Sequence, residues 1–249
     1  MSTLPIFLSD STPGSGGKVT QLYPGLELFS EGEPPRHTIF VLGKAPLSVV
    51  NAEPDQLLII DPPADLANRF VLEGNVAVLF SGEAVDVGIA QVETRPGGLA
   101  HLRIGDHFLD VYTQARYNVV HLPALGMLLG GPFGSDQLPP RLATGSNGDD
   151  ELATLRLLAG LIKRGIQLYI PRTGALIDDR MTMMTRLADD VAYLHGLRRV
   201  AAAAIERGED LGQIEAAGKS LLPAPWSTQM GRSAHAENQR ELAEALADL

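Results

Sequence analysis

Asn75-Val-Ala-Val-Leu-Phe80, running into Ser81-Gly-Glu-Ala-Val-Asp-Val87, decides how this chain is read. The first six residues are an apolar run of strand length. The next seven break away through Ser81 and Gly82 into a short acidic loop. Within that loop Gly82, Ala84 and Val87 present only hydrogen, methyl and isopropyl, with no donor atom among them. On either side lie further short runs rich in β-branched and aromatic residues: His37-Thr-Ile-Phe-Val-Leu42, Leu57-Leu-Ile-Ile60, His107-Phe-Leu-Asp-Val-Tyr112 and Met127-Leu-Leu129. Glycine and proline punctuate them, so residues 19 to about 129 are expected to be strands.

After Asp149 the period changes. Leu152, Leu155, Leu158 and Ile162 recur at helical steps, with Asp149 or Asp150 available as a cap and Gly165 as a stop. Ile166-Gln-Leu-Tyr-Ile170 reads as a buried strand ended by Pro171. Helices are expected at about 178–207, 209–219 and 233–248. Strands first, then helix, strand and helices, fit a layered α+β domain better than a doubly wound sheet. The expected organisation is a flexible N-terminal arm over 1–18 and a single domain over 19–249, with a helical extension at about 178–249.

The 249 residues can bury a sizeable core, and 45% hydrophobic residues argue against extended disorder. There is no cysteine, which removes disulfides, thiolate metal ligands and thiol nucleophiles. A formal charge of −10 with scattered basic residues disfavours nucleic acid as a partner. No apolar run approaches the roughly 20 residues that cross a bilayer, so no membrane association is expected. The first ten residues lack the basic start and cleavage site of a secretory signal, and a cytoplasmic location is expected. No glycine-rich phosphate loop follows a strand, so nucleotide cofactors are not expected either.

The order of these pieces resembles the metallo-β-lactamase superfamily, and in particular its glyoxalase-II-like hydrolases. Leu57-Leu-Ile-Ile-Asp61-Pro62 is similar to the family's early strand ending in aspartate. Leu102–Tyr112 resembles the paired strands before its Pro-Gly-His segment. Met127-Leu-Leu-Gly130-Gly131 and Ile170-Pro-Arg-Thr-Gly174 resemble two later strand ends, and Tyr193–Arg199 with Asn238–Ala243 its terminal helices. The resemblance covers about residues 19–245 and implies a four-layer αββα sandwich with a C-terminal helical extension.

Carried across residue by residue, the same resemblance implies that the zinc ligands are mostly missing. The family's Thr-His-x-His-x-Asp-His falls on Ser81–Val87, where only Asp86 remains as a vestigial ligand. Histidine positions fall on Gly82, Ala84, Val87, Arg116 and Thr173, and the bridging aspartate on Gly131. A catalytic zinc needs about three nitrogen or oxygen donors and an open position for water. Here the expected cofactor is none, zinc included, and no catalytic residue is assigned.

Two roles for the vacated pocket stay open. Asp86 and Arg116 could form a salt bridge that puts a fixed cation in place of the metal. Alternatively, Arg116 and Arg172, with Asp86, could form a ligand-binding set, because guanidinium groups grip carboxylates and phosphates. The reading is thus a pseudoenzyme that binds a small anionic molecule or a protein partner, expected as a homo-oligomer. The alternative is a thioester or ester hydrolase with a mononuclear metal at Asp86 and His107 or His121.

Other constellations read as structural. His101, His107, Asp106 and Asp110 could be imagined as a displaced metal site, but His107 and Asp110 fall on opposite faces of a regular strand. His195 and His235 read as surface or packing residues. Asp149-Asp150 and Asp178-Asp179 suit helix starts, and Asp189-Asp190 a solvent face. Trp226 reads as pinning the tail, with a ligand cover as the lesser reading. Met181, Met183 and Met184 suit core packing or self-association.

Overall fold

Leu57-Leu-Ile-Ile60 is apolar at every position because both of its faces are covered. Leu58 and Ile60 point between two sheets, while Leu57 and Ile59 join a smaller apolar cluster on the outside of the first. The structure, a computed structural model, describes residues 6–7, 17–43, 56–65, 70–72 and 75–247. Residues 10–16 of the expected arm lie outside the described residues.

The strands are β1 (Ile6–Phe7), β2 (Lys18–Tyr23), β3 (Leu26–Glu31), β4 (Arg36–Gly43), β5 (Gln56–Ile60), β6 (Phe70–Val71), β7 (Asn75–Leu79), β8 (Leu99–Ile104), β9 (His107–Gln114), β10 (Tyr117–Leu122), β11 (Met127–Gly131) and β12 (Leu168–Pro171). The first sheet runs β2-β3-β4-β5-β7 and the second β12-β11-β10-β9-β8, while β1 pairs with β6. Pairing is antiparallel except for β5 with β7 and β11 with β12. Alternation along β9 sends Leu109 and Val111 into the space between the sheets and turns Phe108, Asp110 and Tyr112 away from it. Leu26, Leu28, Ile39 and Val41 meet them from the first sheet.

The helices are α1 (Asp149–Ile162), α2 (Arg180–Glu206), α3 (Leu211–Gly218) and α4 (Gln229–Ala247). Leu155 and Leu158 of α1, with Leu187, Leu194 and Leu197 of α2, pack on Val119, Leu128 and Tyr169 of the second sheet. Trp226, just ahead of α4, is buried in this layer with its ring 5.7 Å from that of Tyr193, edge to face. The strands and helices fall in the order expected of an α+β sandwich. On the outer face of the first sheet, Leu72, Val87 and Ile89 pack over Val78 and Phe80. Beside β7, Ala90–Val92 runs as an extra extended segment: Val78 N donates to Ala90 O at 2.9 Å, and Val92 N to Val78 O at 2.8 Å.

Three local expectations need correction. α1 is entered through Gly148 in a left-handed conformation with no side-chain cap, so Asp149 and Asp150 serve the first turn and its dipole rather than capping it. α4 begins at Gln229, where Thr228 Oγ accepts from Gly231 N at 3.0 Å, four residues before the expected start. Asp190 is fully buried rather than solvent-facing. It stands three residues after Leu187 and four before Leu194, on the stripe that faces the core. Asp179, by contrast, caps α2 as a helix-start aspartate should, accepting from Thr182 N at 2.7 Å.

Candidate functional site

A cleft of about 700 Å³ opens where the strand ends of both sheets converge. The turn between β3 and β4 and the loop after β7 form one side. The loop after β11 and helix α4 form the other, with Tyr117 and Arg172-Thr173 between them. A β-bulge between Leu129 and Gly131 turns the end of β11 into this space.

The floor is organised by Asp61, a non-glycine residue at φ 53°. Its Oδ1 accepts from Ser81 N at 2.9 Å and its Oδ2 from Ser81 Oγ at 2.6 Å. The ends of β5 and β7 are thereby tied together. Arg172 Nη1 lies 4.0 Å from Asp61 Oδ1, with the arginine side chain 22% exposed and the aspartate 8%. A Cβ on Gly82 would stand 3.6 Å from Arg172 Nη1, so the guanidinium occupies the space a larger side chain at 82 would enter. Arg36 completes the floor and donates through Nη2 to Pro62 O at 3.3 Å. Burial, then the like charge of Arg172, pull the Arg36 guanidinium below its ordinary pKa; Asp61, Glu31 and Asp65 act the other way.

Arg172 is held by backbone on both sides. His37 N donates to Arg172 O at 2.9 Å, and Arg172 N to Gly131 O at 2.7 Å. His37 Nε2 lies 2.6 Å from Gly174 O and Nδ1 lies 2.8 Å from Ser30 Oγ. A carbonyl can only accept, so Nε2 carries the proton and Nδ1 accepts from the serine. Burial holds this ring below the ordinary histidine pKa. These links fasten the first sheet to the end of β12 at the mouth.

The opposite wall rests on buried polar groups. Glu151, fully buried on α1, accepts from Tyr117 Oη at 2.5 Å, Ser146 Oγ at 2.6 Å and Ala143 N at 3.0 Å. It lies four residues before Leu155 on the same inward face. Burial and then the Glu151 charge raise the Tyr117 phenol far above its ordinary pKa. Asn238 on α4 accepts from Leu142 N at 2.9 Å and donates to Pro140 O at 2.8 Å. Asp190 accepts from Gly134 N at 2.7 Å, and burial pushes its carboxyl well above the usual range.

The site residues expected from the sequence are not all brought together. Arg172 and Thr173 line the cleft, as does Gly82, with the Tyr117 ring 4.0 Å from the Gly82 Cβ position. Asp86 does not: its carboxylate accepts from Gly88 N at 2.9 Å and faces solvent. The reason is its neighbour. Val87 packs onto the outside of the first sheet, and the chain turns Asp86 away. Arg116, in the β9–β10 turn after Ala115 (φ 52°), donates to Thr144 O instead. The expected Asp86–Arg116 salt bridge is therefore replaced by Arg172 against Asp61, a pair whose acid the sequence marks only as a strand-ending residue. Glu83 carries no such mark; it accepts from Thr144 N at 2.8 Å, which, with the charges of Arg116 and Arg141, holds it below the usual carboxylate range.

The residues do not fit a metal. Gly82, Ala84 and Val87 have no donor, and Ala84 is exposed while Val87 is buried elsewhere. Gly131 sits at φ 61°, and a Cβ there would meet Ser81 Oγ at 2.7 Å, leaving no room for an aspartate. Among the described residues no three histidine, aspartate or glutamate side chains gather closely enough to share an ion. Of the histidines in the mononuclear alternative, His107 Nε2 bonds Pro24 O at 3.0 Å, while His121 Nδ1 lies 3.9 Å from Asp110 and makes no hydrogen bond among the described residues. His101 Nδ1 reaches Asp110 at 2.7 Å, on the face opposite His107.

No family model matches the sequence, and no curated protein matches it either. Solved structures do match. A metallo-β-lactamase family protein from Thermus thermophilus superposes with a TM-score of 0.55 at 14% identity, over 92% of this chain and 95% of that one. A β-lactamase domain protein from Burkholderia ambifaria gives 0.56 at 14%, over 96% and 89%. The stereoselective inverting sec-alkylsulfatase Pisa1 from Pseudomonas sp. gives 0.58 at 13%, over 92% of this chain but only 50% of its own length. What the likeness establishes is the fold, a metallo-β-lactamase α+β sandwich. Among the described residues no helix is long and apolar enough to cross a membrane.

Proposed function

We propose that this chain is a pseudoenzyme of metallo-β-lactamase fold, whose cleft binds a small anionic molecule on Arg172 and Arg36. One observation carries the reading. The Arg172 guanidinium stands 3.6 Å from the Cβ position of Gly82 and 4.0 Å from Asp61 Oδ1, so a permanent positive charge stands beside Gly82. A divalent ion beside it would meet a like charge that cannot be removed by deprotonation. Arg36 and Arg172 repel one another. An oxyanion between them would relieve that repulsion and accept from both forks.

The test is titration of propionate into the full chain, followed by calorimetry. Millimolar binding that weakens at least tenfold in Arg36→Ala supports the reading. Equal binding in the variant, or none in either protein, contradicts it. Self-association belongs to the same proposal, and sedimentation at micromolar concentration checks it: a monomer throughout removes that part.

A further inference from the structure

The cleft is not uniformly basic, and its unevenness says what kind of anion it takes. Its lining holds three arginines against four glutamates. Arg141 is engaged by Glu237 on the wall they share. That leaves Arg36 and Arg172 as the basic floor, with Asp61 against Arg172 and the charges of Asp61, Glu31 and Asp65 acting on Arg36. With acids already set against both arginines and Glu33 also in the lining, a molecule with several negative charges would meet more repulsion than one with a single charge. A single negative charge is what this arrangement tolerates.

A second observation concerns the lip. Val85 and Met230 are large apolar side chains, each half-exposed, and both line this cleft from opposite sides. Val85 comes from the loop after β7 and Met230 from the first turn of α4. Leu138, Pro132 and Pro139 add further apolar lining to the same cleft. Apolar groups left open at the mouth of a concave site gain by being covered.

We propose that the occupant is a single-headed amphiphile: a monoanionic headgroup on Arg36 and Arg172, with an unbranched alkyl chain leaving past Leu138 and between Val85 and Met230. This rests on the anion-binding reading above and adds the ligand's shape and charge. A carboxylate and a sulfate ester share the headgroup chemistry, and the experiment separates them.

The experiment is calorimetric titration of the full chain with hexanoate, octanoate, octyl sulfate, octanol and octyl phosphate. Affinity is expected to rise about three- to fourfold for each methylene from hexanoate to octanoate, the increment for a buried CH₂. Octanol, without the charge, and octyl phosphate, with nearly two, are expected to bind at least tenfold more weakly than octanoate. Octyl sulfate against octanoate identifies the preferred head. Met230→Gln, at a half-exposed position where the neutral amide stays in water, should flatten the chain-length dependence. Arg36→Ala should weaken all acids by a common factor. Acids of every length binding equally through Arg36, or octanol matching octanoate, would overturn the amphiphile and leave anion binding standing. Absence of binding by any acid, propionate included, would overturn both.

Discussion

The two walls of the cleft are built on opposite plans. The wall after β11 is locked from within: Glu151 has three donors, Asn238 bonds Leu142 and Pro140, and Asp190 takes Gly134 N. The loop after β7 is held at its root, where Ser81 bonds Asp61, and beyond that by Glu83 and by the apolar anchor of Val87. Asp86, the residue its sequence marks as the vestigial ligand, has only a local bond to Gly88 N and faces solvent. The shape of the site and its chemistry are thus set by different residues. The cleft keeps its form although, among the described residues, no three acids or histidines gather to share an ion.

Substitutions should separate the walls sharply. Glu151→Ala strands the buried donors Ser146 Oγ and Ala143 N, each worth about 1–3 kcal/mol, and leaves the Tyr117 hydroxyl only Arg141 O at 3.1 Å. A loss of at least about 3 kcal/mol in urea unfolding is expected, and a loss under about 1 would break the comparison. Asn238→Ala should follow at about 2 kcal/mol on the same principle. Gly131→Asp puts a side chain at positive φ against Ser81 Oγ, and should also cost about 2 kcal/mol without creating zinc affinity.

Acidification tests the buried rings. Burial lowers the pKa of His37, His121 and His235 below their ordinary 6.5. The unfolded chain therefore binds more protons just below pH 6.5. These rings add stability above that pH, which is lost as pH falls towards their folded values. Asp190 acts in the opposite sense: its raised pKa contributes stability at low pH that is lost as pH rises through the folded value. In Asp190→Asn, with one of two opposing acids gone (burial also raises Glu27), unfolding free energy should rise more steeply between pH 5 and 7 than in the parent chain. A flat profile would show that the three rings are not protected. At the small end, Asp86→Ala should change stability by no more than about 0.5 kcal/mol, as for an exposed residue outside any network.

The fold was legible where residue type and period agree. Leu57–Ile60 reads as a strand, and 152, 155, 158, 162 as a helix stripe, and both are found. The absence of donors at 82, 84 and 87 needs no geometry at all. Pairing was less legible. Asp86 and Arg116 are near in the inferred order of motifs, but Val87 and Thr144 claim the chain around them. Arg36 and Arg172 meet only because β4 and the end of β12 are bridged at Arg36 and Thr173, a contact 137 residues apart in sequence. Glu151 and Asp190 left a readable trace, an acid standing on an apolar helical stripe. Such a residue points to a buried network rather than to a solvated face.

The most direct check of the central claim is the metal content of the full chain after incubation with excess zinc and exhaustive dialysis. The account predicts far less than one zinc per chain, unchanged by Asp86→Ala. Close to one zinc per chain, lost in that variant, would contradict it.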